Sequence, residues 1–278
     1  MMTCTTAGNV LCNAFVEFSR MCWKDLSDAA ALNNSTEKFS LSEESLTDYR
    51  LLELGRAKAH LASRGYHLSI VKFTRADEGK KTGADWQWIF VGGGRWIGLR
   101  VQAKKLYGNL NYQSLRQKNK KGKFQYNQLI EDAERDNLFP VYCFYNYSTD
   151  STYRVPAHCP CFEHSEDWGC SIADAYAVRR RAVKKESQFD KISKVSAPLP
   201  HVFCCEPFRN WFDSFPDFIA EQLQVLKANS GTRKRGPGVQ TGIPAYVRLI
   251  EALELGIDIT QYEALQNLDG VMVIREEG

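Results

Sequence analysis

Asp85, Gln102 and Lys104 are residues whose types and spacing could carry out a reaction. Asp85 closes the run Thr82-Gly83-Ala84-Asp85 ahead of the strand-like stretch Ala84–Val91, and Gln102 and Lys104 end a second such stretch, Arg95–Lys104. Gly92-Gly93-Gly94 lies between them. Glycine accepts the positive φ of a two-residue hairpin turn, so a turn centred on Gly93-Gly94 is expected. Paired positions then sum to 187, which sets Asp85 opposite Gln102. Opposed side chains share a face with Cβ atoms about 5 Å apart, and Lys104, two residues on, shares it too. A slip of one residue would send Asp85 and Gln102 to opposite faces.

An acid, an amide and an ammonium on one patch suit hydrolysis of a phosphodiester. Carboxylate and carbonyl oxygens are hard ligands for Mg²⁺, which keeps several waters and takes a phosphate oxygen as a further ligand. The cation would polarise the phosphoryl group and acidify a water, and the ammonium would stabilise negative charge. A second carboxylate would strengthen the site. Glu44 is the chosen candidate, with Glu43, Asp48 and Glu78 as alternatives. A first-turn Glu is also favourable at the positive end of a helix with no function at all, and an Asp and a Lys on facing strands commonly form a simple ion pair.

The elements that must hold these groups follow from the apolar periods. Val10, Leu11, Phe15, Phe18, Met21 and Cys22 give an N-terminal helix, and a polar connector follows. A second helix starts near Leu41, with Ser42 at its N-terminus, and runs to Gly65. Strands follow at Tyr66–Phe73, Ala84–Val91 and Arg95–Lys104, then a helix at Tyr126–Asn137 and a buried strand at Pro140–Tyr145. The order from Leu41 to Tyr145 is thus αβββαβ. Beyond it come a helix from Ile172, a short strand at His201–Cys205, helices at Trp211–Ala228 and Pro244–Leu255, and a closing strand at Gly270–Ile274. Trp86, Trp88 and Trp96 are expected to pack opposite the polar face.

Thr82-Gly83-Ala84-Asp85, the glycine turn and Val101-Gln102-Ala103-Lys104 together resemble the PD-(D/E)XK nuclease superfamily in its restriction-endonuclease-like form. The Gln-x-Lys variant is similar to Mrr-type restriction endonucleases, and the element order matches that superfamily's core over somewhat more than a third of the chain. TGADW, RVQAKKL and FPVYCFYN further resemble an uncharacterised bacterial family associated with anti-phage or restriction-type systems. The resemblance implies an α/β fold with a mixed central sheet flanked by helices. Residues 1–40 would be an N-terminal helical extension, 41–147 the nuclease-like core and 148–278 C-terminal additions packed on it. It also implies Mg²⁺ or Mn²⁺ held by Asp85, Gln102 and the Ala103 carbonyl, with Lys104 catalytic, Glu44 the helix carboxylate and Gln128 in contact with substrate or lysine. The alternative is a catalytically degenerate nucleic-acid-binding or sensor subunit of a defence complex, which the uncharged Gln102 favours.

Between Lys104 and Lys123 the chain carries Lys104, Lys105, Arg116, Lys118, Lys120, Lys121 and Lys123 with no acid. This is the expected phosphate-contacting strip, with Tyr107 and Tyr112 available to stack on bases. DNA is favoured over RNA as the partner, and a homodimer or a regulatory protein is expected by analogy. Overall charge argues neither way, since 36 basic groups face 33 acidic ones. No apolar run approaches the roughly 18 residues of a membrane span, and no secretory signal is read, so a cytoplasmic protein with reduced thiols is expected despite nine cysteines. Cys159, Cys161, His164 and Cys170 offer four soft ligands for Zn²⁺, although the usual paired spacing is missing and a reduced cysteine loop is the preferred reading. His201 with Cys204 and Cys205 reads as core packing.

Overall fold

A computed structural model describes residues 9–33, 39–73, 84–149, 162, 164–204, 212–232, 236–252, 262, 265 and 268–277. In chain order its elements are α1 (Val10–Leu32), α2 (Glu43–Arg56), α3 (Lys58–Ala62), β1 (Tyr66–Lys72), β2 (Trp86–Gly92), β3 (Arg95–Lys105), α4 (Gln125–Arg135) and β4 (Phe139–Tyr145). Then come β5 (Cys170–Asp174), α5 (Ala175–Val183), α6 (Phe189–Ile192), β6 (Ser196–Pro198), α7 (His201–Cys204), α8 (Phe215–Asn229), β7 (Gln240–Thr241), α9 (Ala245–Glu251) and β8 (Gly270–Glu276). Local chemistry sets the helix starts. The Asn9 side chain accepts from Cys12 N at 2.8 Å to open α1, and Ser42 accepts from Ser45 N at 3.0 Å to open α2.

The protein is a mixed α/β structure, one sheet flanked by helices, in the order β1-β8-β2-β3-β4-β5-β6 with β7 added on β3. β8 runs antiparallel to β1 and parallel to β2, and β3 runs parallel to β4. The strands β5, β6 and β8 all come from beyond residue 147, and β8 lies inside the sheet between β1 and β2. Alternation sends Trp86, Trp88, Leu99, Val101 and Ala103 to one face, under α1, α2 and α8. The other face, under α4, α5 and α9, buries Ile89, Val91, Trp96, Tyr142 and Phe144. Trp96 therefore shares the face of Gln102 and Lys104, where the sequence reading set it opposite. Its even number on β3 decides this, because the hairpin register pairs it with Val91.

Three other expectations are corrected. His201–Cys204 is a helical turn, not a strand. Cys170–Asp174 is a strand ahead of the helix that was expected to start at Ile172, and Asp174 caps that helix by accepting from Ala177 N at 3.1 Å. The thiols are not all reduced. Cys12 on α1 and Cys204 on α7 form a disulfide, which closes a loop of 192 positions, while Cys22, Cys143 and Cys170 are free and buried. Closing so long a loop restrains the unfolded chain by several kcal/mol. Among the described residues no helix is long and apolar enough to cross a membrane.

β8 enters the sheet through Gly270, where an added Cβ would meet the Trp86 ring at 2.4 Å and the Val71 carbonyl at 2.5 Å. Neither the backbone nor a ring packed in the core can yield. Gly270→Ala is expected to lose about 1–3 kcal/mol in denaturant melts, whereas Gly55→Ala, in α2 with no atom within 4 Å of the new Cβ, should be neutral or mildly stabilising.

Candidate active site

The hairpin turns on Gly93 and Gly94, at φ +57° and +72°, and its ladder runs from Gly92 opposite Arg95 to Trp86 opposite Val101. Asp85 stands one residue past the ladder and keeps its register, donating its N–H to the Val101 carbonyl at 2.9 Å. Its own carbonyl accepts from Asp269 N at 2.6 Å, where the chain enters β8. The Asp85 main chain is thus clamped between two strands, and its carboxylate turns toward β3. Oδ2 accepts from Gln102 Nε2 at 2.5 Å and from Ala103 N at 2.9 Å. Burial pushes the Asp85 carboxyl up to about 6; the Lys104 charge and the Ala103 N–H oppose this, while Asp269 and Glu43 add to it.

Lys104 is 2% exposed and its ammonium faces Glu43 Oε2 at 3.4 Å. Glu43 is the first residue of α2, and its Oε1 also accepts from Lys105 N and Ser114 Oγ, each at 3.1 Å. Glu44, one position on, points elsewhere. Its carboxylate lies 3.8 Å from Lys72, which also pairs with Asp48. Of the four acids open in the sequence, Glu43 thus joins Lys104, Glu44 and Asp48 gather at Lys72, and Glu78 lies outside the described residues. A signal for this was present: Glu43 leads the stripe Leu46, Thr47, Arg50 and Leu54, all buried, while Leu52 on the far side is exposed.

The basic strip divides. Lys105 is buried, and its ammonium donates to Ser40 Oγ at 2.9 Å and to the Leu41 carbonyl, above the Tyr107 ring at 5.0 Å. Burial lowers its pKa, and its ammonium holds the connector before α2. Arg116 and Lys118 lie 5.8 and 4.8 Å from the Phe124 ring centroid, and that ring stacks on Tyr126 at 5.0 Å. Lys120 and Lys121 are exposed on a turn that Asn119 organises, its Oδ1 accepting from Lys121 N and Lys123 N at 3.0 Å. Asn119 Nδ2 in turn donates to Gln128 Oε1 at 2.8 Å, and Lys123 pairs with Glu131. Tyr112, expected to stack on bases, is buried and donates to Asn146 Oδ1 at 2.6 Å.

The zinc reading is not assembled by the described residues. Cys159 and Cys161 lie outside them, His164 is exposed, and the Cys170 thiol is buried beside Cys22 and Cys143, with burial holding it well above the usual range. No group of three or more His, Cys, Asp and Glu side chains gathers as a metal cluster among the described residues. What does converge is a mixed donor set: the Asp85 and Glu43 carboxylates, the Ala103 carbonyl and the Gln102 amide. Gln102 Oε1 is buried with no hydrogen-bond partner, and so is the hydroxyl of Tyr142, which sequence reasoning did not single out. Tyr142 is the β4 partner of Gln102, a parallel pairing between distant segments. The amide presents Nε2 to Asp85 Oδ2, so Gln102 Oε1 could share a hard cation with that carboxylate only with the amide turned about.

Fold and site together define a mixed α/β protein with a buried acid–amide–ammonium constellation at one end of its central hairpin. The chain belongs to DUF6615, a family of unknown function, which it matches over residues 11–278. No curated protein matches it.

A carboxyl whose pKa rises on folding, here from 3.8 to about 6, supports the fold while protonated and opposes it once ionised. Its contribution is present in full below about pH 4 and is lost as pH climbs through 6, up to about 3 kcal/mol. Denaturant melts between pH 4 and 7 should show that loss in the wild type and not in Asp85→Asn.

Proposed function

We propose that the protein is a metal-dependent nuclease of restriction-endonuclease-like type that hydrolyses nucleic-acid phosphodiesters, DNA before RNA. The single observation that carries the reading is the hairpin register that brings Asp85, Gln102 and Lys104 onto one patch, with Glu43 against the lysine. Asp85, Gln102 Oε1 and the Ala103 carbonyl would hold Mg²⁺ or Mn²⁺. Once bound, the ion supplies Lewis-acid polarisation of the phosphoryl group and a more acidic water.

The chain's own groups do the rest. The Lys104 ammonium, buried at 2% exposure, meets developing negative charge on the phosphoryl oxygens with little competing water. Glu43 holds that ammonium in place and offers an oxygen that can take a proton from an attacking water. Lys120 and Lys121, exposed on the Asn119-braced turn, supply non-specific attraction to phosphates. The sequence resemblance to restriction-type systems supports a role in anti-phage defence. A second reading, a degenerate binding or sensor subunit, is favoured by the uncharged Gln102, which brings no negative charge to the site where it donates to Asp85.

Purified protein incubated with plasmid, linear and single-stranded DNA and with RNA should cleave in Mg²⁺ and not in EDTA. Lys104→Met and Asp85→Ala should each slow cleavage by about 10²–10³-fold. Cleavage that survives both substitutions removes the assignment. Glu43→Gln should impair cleavage strongly, while Glu44→Gln, at the exposed Lys72 pair, should stay within about threefold of wild type. The reverse order would restore Glu44 as the second acid.

A further inference from the structure

We propose that Ser114 is a positioning residue that holds the Glu43 carboxylate with one oxygen turned to Lys104. The inference rests on the cleavage reading above and deepens it. The last torsion of a glutamate, about the bond that carries the carboxylate, has a broad profile and selects no single orientation. Whatever fixes the two oxygens of Glu43 must therefore come from outside the side chain. The structure supplies it on one oxygen: Oε1 accepts from Lys105 N and from Ser114 Oγ, each at 3.1 Å. Oε2 is left to face the Lys104 ammonium at 3.4 Å.

The two donors belong to different elements, and together they fix what one alone would not. Lys105 N is the last amide of β3 and by itself would leave the carboxylate to pivot about a single hydrogen bond. Ser114 sits in the short helical turn Gln113–Arg116, between β3 and α4. That turn is pinned on both sides of Ser114, because Tyr112 and Leu115 are buried in the core. Tyr112 N also donates to the Ser187 carbonyl at 2.9 Å, and its hydroxyl to Asn146 Oδ1 at 2.6 Å. A hydroxyl on so fixed a turn meets the carboxylate from a set direction, and a bond to a charged acceptor is of the stronger kind. Glu43 then presents Oε2 where a proton acceptor has to stand before its basicity counts. Without the hydroxyl, Oε1 is held by one donor and Oε2 is free to turn away from Lys104. The cost falls on the reacting step and not on capture of nucleic acid, since Ser114 is uncharged and the exposed Lys120 and Lys121 are untouched.

Steady-state cleavage by the full-length protein, on the substrate that the wild type cleaves fastest, tests this. Ser114→Ala should lower kcat about tenfold, the low end for a hydrogen bond to a charged acceptor because Lys105 N remains, with KM within about twofold of wild type. Should the alanine variant not fold, Ser114→Cys, which keeps the volume but donates weakly, carries the same expectation. Ser114→Thr restores the hydroxyl and should recover kcat to within about threefold. In a Glu43→Gln background Ser114→Ala should cost less than about twofold, since no carboxylate is left to position. A crystal structure of Ser114→Ala or Ser114→Cys should show the Glu43 carboxylate rotated, with Oε2 no longer facing Lys104. An unchanged kcat, a loss confined to KM, a threonine variant as slow as alanine, an equal loss in both Glu43 backgrounds or a carboxylate that keeps its place overturns this proposal alone. A wild-type protein that cleaves no substrate overturns it together with the cleavage reading.

Discussion

Along β3, the residues Arg100, Gln102 and Lys104 point to one face of a sheet that helices cover, and none is more than 3% exposed. Gln87 on β2 continues the stripe, fully buried opposite Arg100. A buried polar side chain must find a partner or the fold carries its desolvation cost. Each finds one from a different element: Gln87 from Tyr246 on α9, Arg100 from Asp136 after α4, Gln102 from Asp85 across the hairpin, Lys104 from Glu43 at the start of α2. The stripe therefore ties three helices to the hairpin through specific bonds, while the middle of the opposite face of β3 gives Ile97, Leu99, Val101 and Ala103 to an apolar layer.

This requirement gives the site its character. The carboxylate of Asp85 receives two N–H donors and a nearby ammonium, and burial still pushes its pKa to about 6. A group in that condition ionises readily once a further positive charge is supplied. Gln102 Oε1 and the Tyr142 hydroxyl are buried there without a hydrogen-bond partner, and so, farther along the stripe, is Gln87 Oε1. Buried polar atoms left in this condition carry a desolvation cost that the rest of the fold must offset.

Much of the frame was legible in the amino-acid order. The strands Tyr66–Lys72, Trp86–Gly92, Arg95–Lys105 and Phe139–Tyr145 and the helix Gln125–Arg135 lie within a few residues of where apolar alternation and period predict them. His201–Cys204 misled because its apolar run, HVFC, is as compatible with a buried helical turn as with a strand, and four residues hold too little period to separate the two. The Cys12–Cys204 disulfide was missed for a different reason: 192 positions separate its ends, and nothing in either neighbourhood announces the other. The basic strip looked uniform as a string, yet Lys105 is buried under the connector while Lys120 and Lys121 stand in solvent.

The sequence by itself determined the pairing of Asp85 with Gln102. Two glycines that accept positive φ fix the turn, and a period of two then fixes every side chain's face, so the whole step is local. Only the tertiary structure decided that Glu43 and not Glu44 meets Lys104, that β8 slots between β1 and β2, and that Tyr142 lies beside Gln102. These depend on how α2 is rotated about its axis and in what order strands distant in the chain come together. Such choices are made by the packing of whole layers, whose energies are spread over many residues and leave no mark at any one position.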